Sequence, residues 1–216
     1  MFRRISYVTL VVCLATVLSA GYASASTVLY STLGPNGQYD GSEGWDVDGA
    51  NFHNQVMAMP FTPNATSGIA DVVMAMSNFA GTNSPVSVFL ESDNGGAPGS
   101  ILAGLTQVGN IVAFPGGLVP YTCSSCPTVD AGTRYWLVAQ ETDPNSQQDW
   151  MWAWNDVQGP FYYNETGSAT GPWSADTFIM SGFRVDGSTT PEPGTLVMLG
   201  SGVLGLAGVL RRKINL

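Results

Sequence analysis

An acidic, glycine-rich segment, YDGSEGWDVDG at residues 39–49, is the first candidate for chemistry in this sequence. Asp40, Glu43, Asp46 and Asp48 offer the hard oxygen ligands that calcium prefers, and the glycines allow a tight loop. The spacing differs from that of an EF-hand loop, which needs acids at positions one, three and five and a glutamate at twelve. We therefore expect either a calcium site in a loop or, as the commoner alternative, acids solvated in a turn.

The single histidine, His53, follows this segment in DGANFHNQ. It has no obvious nucleophile partner, and the chain contains no G-x-S-x-G motif of the kind that presents a catalytic serine. We expect a surface or turn residue. Acids are so numerous that some pair will match a glycoside hydrolase by chance, so spacing identifies none. No catalytic residue is predicted, and we do not expect an enzyme.

Two cysteines, Cys123 and Cys126, form a C-x-x-C pair in TCSSCPT. Such a pair is a redox centre, half of a zinc site or a disulfide. Structural zinc sites usually take four cysteine or histidine ligands, and the only other residues of these two types are His53 and Cys13, which lies in the N-terminal apolar stretch. The surroundings resemble a loop between strands, so we expect a local disulfide. Because the closed loop is very short, its stabilisation should be modest, about 2 kcal/mol.

Three tryptophans, Trp150, Trp152 and Trp154, alternate in DWMWAWN. In a strand their indoles point to one face, and Met151 and Ala153 point to the other. An exposed row would be a platform for sugar rings, whereas a buried row would be core. We favour the core, and the apolar character of both faces suggests a central strand covered on both sides.

The region between residues 26 and 188 is predicted to be all-β, because short apolar or alternating stretches are separated by turn residues. About ten such stretches indicate an antiparallel β-sandwich, most similar to a jelly roll. The segment DNGGAPGS at residues 93–100 contains three glycines and a proline, which indicates a tight exposed loop. The expected strands cover residues 27–31, 54–61, 68–77, 84–92, 100–105, 109–114, 134–141, 149–155, 159–164 and 177–185.

The first 25 residues have the pattern of a secretory signal peptide. Arg3 and Arg4 precede an apolar stretch, and Ala23-Ser24-Ala25 forms an A-x-A cleavage site. We expect cleavage after Ala25, so that the mature chain begins at Ser26. An uncleaved membrane anchor is the alternative, and the small residues before Ser26 argue against it.

The C-terminal region, residues 189–216, contains an apolar run at 195–210 followed by Arg211, Arg212 and Lys213. As a helix the run would be roughly 24 Å long, short for a hydrocarbon core of about 30 Å. The three cations are expected to stay in the cytoplasm. The sequence therefore predicts one transient crossing, with the domain outside and the C-terminus inside.

Pro191, Glu192, Pro193 and Gly194 precede this helix. The motif, helix and basic end together resemble the PEP-CTERM sorting signal of Gram-negative bacteria, a tail also known under an ice-binding C-terminal label. The resemblance implies recognition and cleavage by a membrane protease of the exosortase type, followed by transfer to the cell surface or the exopolysaccharide matrix. The alternative is an ordinary single-pass anchor.

A second resemblance covers the region between the two ends. YDGSEGW, VFLESDNGGAPGSIL, TVDAGTRYWLVAQE and WMWAWN are similar to the choice-of-anchor R type of bacterial surface domain. That resemblance implies a secreted β-sandwich found with different anchors, and it implies no ligand.

The negative charge of residues 26–188 limits the kinds of molecule that this region is expected to bind. Only Arg134 and Arg184 of the seven basic residues fall within 26–188, so this region is more acidic than the chain's net −9. Nucleic acid is therefore not expected as a partner. We expect a surface or matrix protein with a structural or adhesive role; the alternatives are a carbohydrate-binding module that uses the tryptophan strand and a matrix glycan hydrolase.

Overall fold

The structure is a computed structural model that describes residues 27–81, 85–143, 147–188 and 202–203. The described strands belong to one compact unit, Ser26–Ser188. They are β1 (Thr27–Ser31), β2 (Asp40–Asp48), β3 (Val56–Phe61), β4 (Ser67–Ala80), β5 (Val86–Asn94), β6 (Ala97–Gln107), β7 (Gly117–Thr122), β8 (Thr128–Val129), β9 (Tyr135–Glu141), β10 (Asp149–Asn164), β11 (Ser174–Ser181) and β12 (Phe183–Gly187), with a short 3-10 turn at Pro35–Gly37.

The strands pair antiparallel in one continuous path, β1-β12-β4-β7-β6-β5-β9-β3-β10-β11. An additional pairing between β4 and β10 makes this path return onto itself. Seven strands thereby form a closed ring, which leaves few free edges for unwanted pairing. The all-β antiparallel class is confirmed, and the jelly-roll sandwich stays a prediction.

The main core lies inside this ring and contains side chains from most strands, among them Trp150, Trp152, Met74, Met76 and Phe183. A second cluster packs on the opposite face of β3 and β9 around Trp136 and Val138. A third covers the opposite face of β10, where Ala75, Met151 and Ala153 meet Leu33 and Tyr39. The tryptophan strand is therefore covered on both faces, as its apolar pattern predicted.

The acidic segment 39–49 was predicted to be a loop, and this prediction was wrong. Residues 40–48 form β2, which pairs with the first half of β10. Aspartate and glycine are depleted in strands, and here tertiary packing overrides that preference. Gly44 is required where β2 pairs with β10, because a Cβ there would overlap the side chain of Met151 and the carbonyl oxygen of Trp152.

Several other boundaries differ from the prediction. Residues 109–114 form no strand, β7 and β8 were missed, and the predicted strands 149–155 and 159–164 are one strand, β10. The stretch 177–185 is split at Gly182, whose N–H donates to the carbonyl of Ala153. The tight β5–β6 turn was predicted correctly: Gly95 and Gly96 have φ of 67° and 98°, which glycine adopts without strain.

The residues of both targeting segments lie outside the described part of the chain. These are Ala23, Ala25 and Ser26 of the predicted cleavage site, the motif 191–194, and the basic end 211–213. The predicted helix at 195–210 is described only at residues 202 and 203. Within the described residues, no helix has the length and apolar character that a membrane crossing needs.

Candidate functional site

The tryptophan row lies mainly in the core. Trp150 and Trp152 are 0% exposed. The Nε1 of Trp150 donates to the Glu141 carboxylate at 2.6 Å, and the Nε1 of Trp152 donates to the Gly182 carbonyl at 3.1 Å. Buried indoles with satisfied N–H groups cannot stack on a sugar, so Trp150 and Trp152 belong to the core, as we favoured, and the alternative of glycan contacts at these two residues was wrong.

Trp154 differs from its two neighbours because it is only partly buried. Its ring centroid lies 5.5 Å from that of Trp45 and 5.4 Å from that of Phe178. Its Nε1 is buried and has no hydrogen-bond partner. The indole therefore contributes packing to an aromatic group, without the polar anchor that fixes Trp150 and Trp152.

The cysteine pair forms the expected disulfide between Cys123 and Cys126. It closes the segment between β7 and β8, and both residues pack against the main core.

The predicted calcium ligands do not converge. Within β2, Glu43 alternates with Asp46 and Asp48, so its side chain belongs to the opposite face of the strand. Asp40 accepts hydrogen bonds from the Ser42 N–H at 2.9 Å and the Ser42 hydroxyl at 2.6 Å. These bonds hold the pKa of Asp40 below its usual value. The four-acid site was therefore wrong for Asp40 and Glu43, since a pleated strand separates what a loop would gather.

Asp46 and Asp48 lie close to His53, which is in the turn between β2 and β3 and has an exposed side chain, as predicted. One ligand atom from each of the three residues lies within 4.8 Å of the others. The Nδ1 of His53 is 3.2 Å from the Asp48 Oδ2. The Oδ1 of Asp48 accepts hydrogen bonds from the backbone N–H groups of His53 at 3.2 Å and Gln55 at 2.7 Å. The Asp48 carboxylate thereby closes the turn between β2 and β3.

Asp149 adds a third carboxylate from a distant part of the sequence. It pairs directly with Asp48 across β2 and β10, and directly opposed residues share a face. Burial, followed by the Asp46 and Asp48 charges, raises the pKa of Asp149 to about 6, and His53 acts in the opposite direction. Burial and the Asp48 charge also raise the pKa of Asp46. We call Asp46, Asp48, His53 and Asp149 the carboxylate–histidine cluster.

Sequence reasoning missed two members of this cluster, His53 and Asp149. His53 is five residues beyond Asp48, so an acid–histidine pair across a turn was a usable local signal. Asp149 had no such signal, because its position depends on the register between β2 and β10.

A shallow cleft of about 660 Å³ lies between the β5–β6 hairpin and the segment that precedes β11. Its lining includes Asp93, Asn94, Thr170 and the partly buried Trp173. Asp93 is held in place, because its Oδ1 accepts from the Trp136 Nε1 at 2.9 Å and its Oδ2 accepts from the Gly96 N–H at 3.0 Å. The cleft thus combines one indole with fixed polar groups.

Comparison with known proteins identifies the tail. Residues 189–213 match the family model described as the PEP-CTERM protein-sorting motif. No curated protein and no solved structure matches the chain. The resemblance of the preceding region to the choice-of-anchor R domain has no support among these findings and stays a prediction.

The chain is thus an all-β protein whose C-terminal region matches the PEP-CTERM protein-sorting motif. Such a tail implies export, processing by an exosortase and sorting to the cell surface.

Proposed function

We propose that this protein is a structural or adhesive component of the cell surface or of the exopolysaccharide matrix of a Gram-negative bacterium, without enzymatic activity. The observation that carries the proposal is the PEP-CTERM match at residues 189–213. The acidic domain supports it, since self-repulsion keeps a secreted protein soluble until it is incorporated. The Cys123–Cys126 disulfide also suits an oxidising compartment outside the cytoplasm.

The proposed route has three steps. The signal peptide 1–25 starts export and is removed before Ser26. The helix 195–210 then holds the chain in the inner membrane, with Arg211, Arg212 and Lys213 in the cytoplasm. Finally, an exosortase-type protease cuts near Pro191–Gly194 and releases the domain.

Replacement of the motif should block the last step. In a host that carries an exosortase, Pro191→Ala/Glu192→Ala/Pro193→Ala should leave the chain uncut and in the membrane fraction. Because the tail would remain attached, mass spectrometry should find the C-terminal peptide on the accumulated protein. Glu165→Ala, at an exposed acid outside residues 189–213, is the control and should be processed normally. Normal processing and surface delivery of the triple variant would refute the proposed route.

Glycan binding is a second candidate function, and we propose the cleft, not the tryptophan strand, as its site. The observation that favours it is the position of Trp173 beside Asp93, Asn94 and Thr170. Sugar recognition combines an aromatic face with planar polar groups, and a cleft of this volume falls in the usual range for ligand sites. The acidic surface favours a neutral glycan over an anionic one.

Trp173→Ala should weaken binding of neutral oligosaccharides from the host's exopolysaccharide about fivefold, because loss of one stacking ring costs about 1 kcal/mol. Isothermal titration calorimetry measures this change. Trp154→Ala, another partly buried indole outside the cleft, should bind as the unchanged chain does. Equal binding by all three proteins, or by none, would exclude the cleft as a glycan site.

A further inference from the structure

We propose that the carboxylate–histidine cluster binds one divalent transition-metal cation of the Zn²⁺ or Mn²⁺ type. Asp46, Asp48 and His53 are the direct ligands, and Asp149 is the adjoining carboxylate. The inference concerns a site in the β-domain and does not depend on how the tail is processed.

The geometry fits a single ion. Ligands at about 2.0–2.2 Å from a metal lie roughly 3–4 Å from one another. The three ligand atoms here already fall within 4.8 Å of each other, so small side-chain rotations bring them to that spacing. Asp48 is fixed by two backbone N–H groups. Asp48 is therefore a ligand whose position is fixed. The His53 side chain is 65% exposed, so it can rotate toward the ion.

The charges of the cluster also point to a cation. Three carboxylates lie together, and the two arginines of the described residues contact other acids: Arg134 approaches Asp93 and Arg184 binds Asp186. The Oδ1 atom of Asp149 is buried and accepts no hydrogen bond. Buried polar atoms are almost always satisfied, so this oxygen is available to accept a hydrogen bond from a water on the metal.

The kinds of ligand atom in the cluster indicate which metal it would bind. Calcium takes oxygen ligands, six to eight of them, and this cluster supplies an imidazole nitrogen among few oxygens. Imidazole suits zinc and related transition metals, and carboxylates suit manganese, so a mixed set favours these ions over calcium. A metal at the His53 Nδ1 would replace the contact that this nitrogen now makes with the Asp48 Oδ2, and the neutral imidazole would then carry its proton on Nε2.

The test uses the full chain, purified in detergent without a histidine tag and stripped with EDTA. Zn²⁺, Mn²⁺ and Ca²⁺ are titrated separately by calorimetry. We expect one site per chain for Zn²⁺ or Mn²⁺, and at least tenfold weaker binding in His53→Ala and in Asp149→Asn. Asp40→Asn is the matched control, because Asp40 lies on the same strand but bonds only to Ser42. Its affinity should be unchanged.

The single histidine provides a second readout that is independent of affinity. The chain gives one imidazole signal by NMR, and this signal should shift on addition of one equivalent of Zn²⁺ in the unchanged chain and in Asp40→Asn. No saturable binding by any of the three ions would overturn the proposal. Binding of Zn²⁺ or Mn²⁺ that leaves the His53 signal unmoved, or tight binding of Ca²⁺ alone, would overturn it as well. Tryptophan fluorescence of each variant reports whether it is folded.

Discussion

A Trp152→Ala variant should lose about 4 kcal/mol of the free energy of unfolding, since truncation of a buried tryptophan typically costs 3–5 kcal/mol. Trp152 is fully buried and lies between Trp45 of β2 and Met76 of β4 in the strand register. Its removal opens a cavity where three strands meet and leaves the Gly182 carbonyl without its indole donor. Urea unfolding followed by circular dichroism measures the loss. Because domains are stable by only about 5–15 kcal/mol, the variant should be close to unfolding at 37 °C.

A pair of phenylalanine variants separates the hydrogen bond from ring packing. Trp152→Phe loses the bond to Gly182 and should cost about 2 kcal/mol. Trp154→Phe removes a buried N–H that has no partner, so its cost should be below about 0.5 kcal/mol. Equal losses in the two variants would contradict the different roles that we assign to these neighbouring indoles.

Glu91 should make the domain less stable as the pH rises. Its side chain is 0% exposed, and neither carboxylate oxygen has a hydrogen-bond partner. Burial raises its pKa from 4.5 to about 7. Between these values the folded chain holds a proton that the unfolded chain has released, so the free energy of unfolding falls with rising pH. The expected loss is about 3 kcal/mol between pH 4.5 and pH 7, levelling off above it.

Glu91→Gln removes the titration while it keeps the shape of the side chain, so the difference between variant and unchanged chain isolates Glu91. In this variant the free energy of unfolding should lack the loss of about 3 kcal/mol between pH 4.5 and pH 7. Glu91→Leu should be more stable than the unchanged chain at pH 8. Glu165→Gln, at an exposed acid, should retain the original profile. Chelator is included throughout, so that the cluster near Asp149 stays free of metal. A Glu91→Gln profile parallel to that of the unchanged chain would show that Glu91 is not the titrating group.

The sequence predicted those strands whose residues favour a strand by themselves. β1 and β9 begin and end within a residue of their predicted positions, because TVLYS and RYWLVAQE are rich in β-branched and aromatic residues. β2 and β7 were missed because their glycines, acids and Pro120 weaken the local signal. These strands form because their neighbours, β10 and β4, supply hydrogen-bond partners along their length.

The candidate site was predictable only where its members are close in sequence. Asp46 and Asp48 were named as candidate calcium ligands together with Asp40 and Glu43, because the segment was predicted to be a loop, and only the first two lie in the cluster. Asp149 is about 100 residues from Asp48, and a shift of one residue in the β2–β10 register would turn it to the other face. Long-range register is a property of the whole core, and no local pattern reports it.

The position of β12 has a mechanical consequence for a protein held by its C-terminus. The tail begins just beyond this strand, so any pull on the anchor enters the domain at Gly187. β12 is hydrogen-bonded on both sides, to β1 and to β4. A strand at the edge of a sheet could separate by breaking its hydrogen bonds one after another. β12 can separate only if its hydrogen bonds to both β1 and β4 break. By the proposed route the domain is tethered only until the exosortase cuts the tail, and during that stage it would bear tension through its interior and not at a sheet edge.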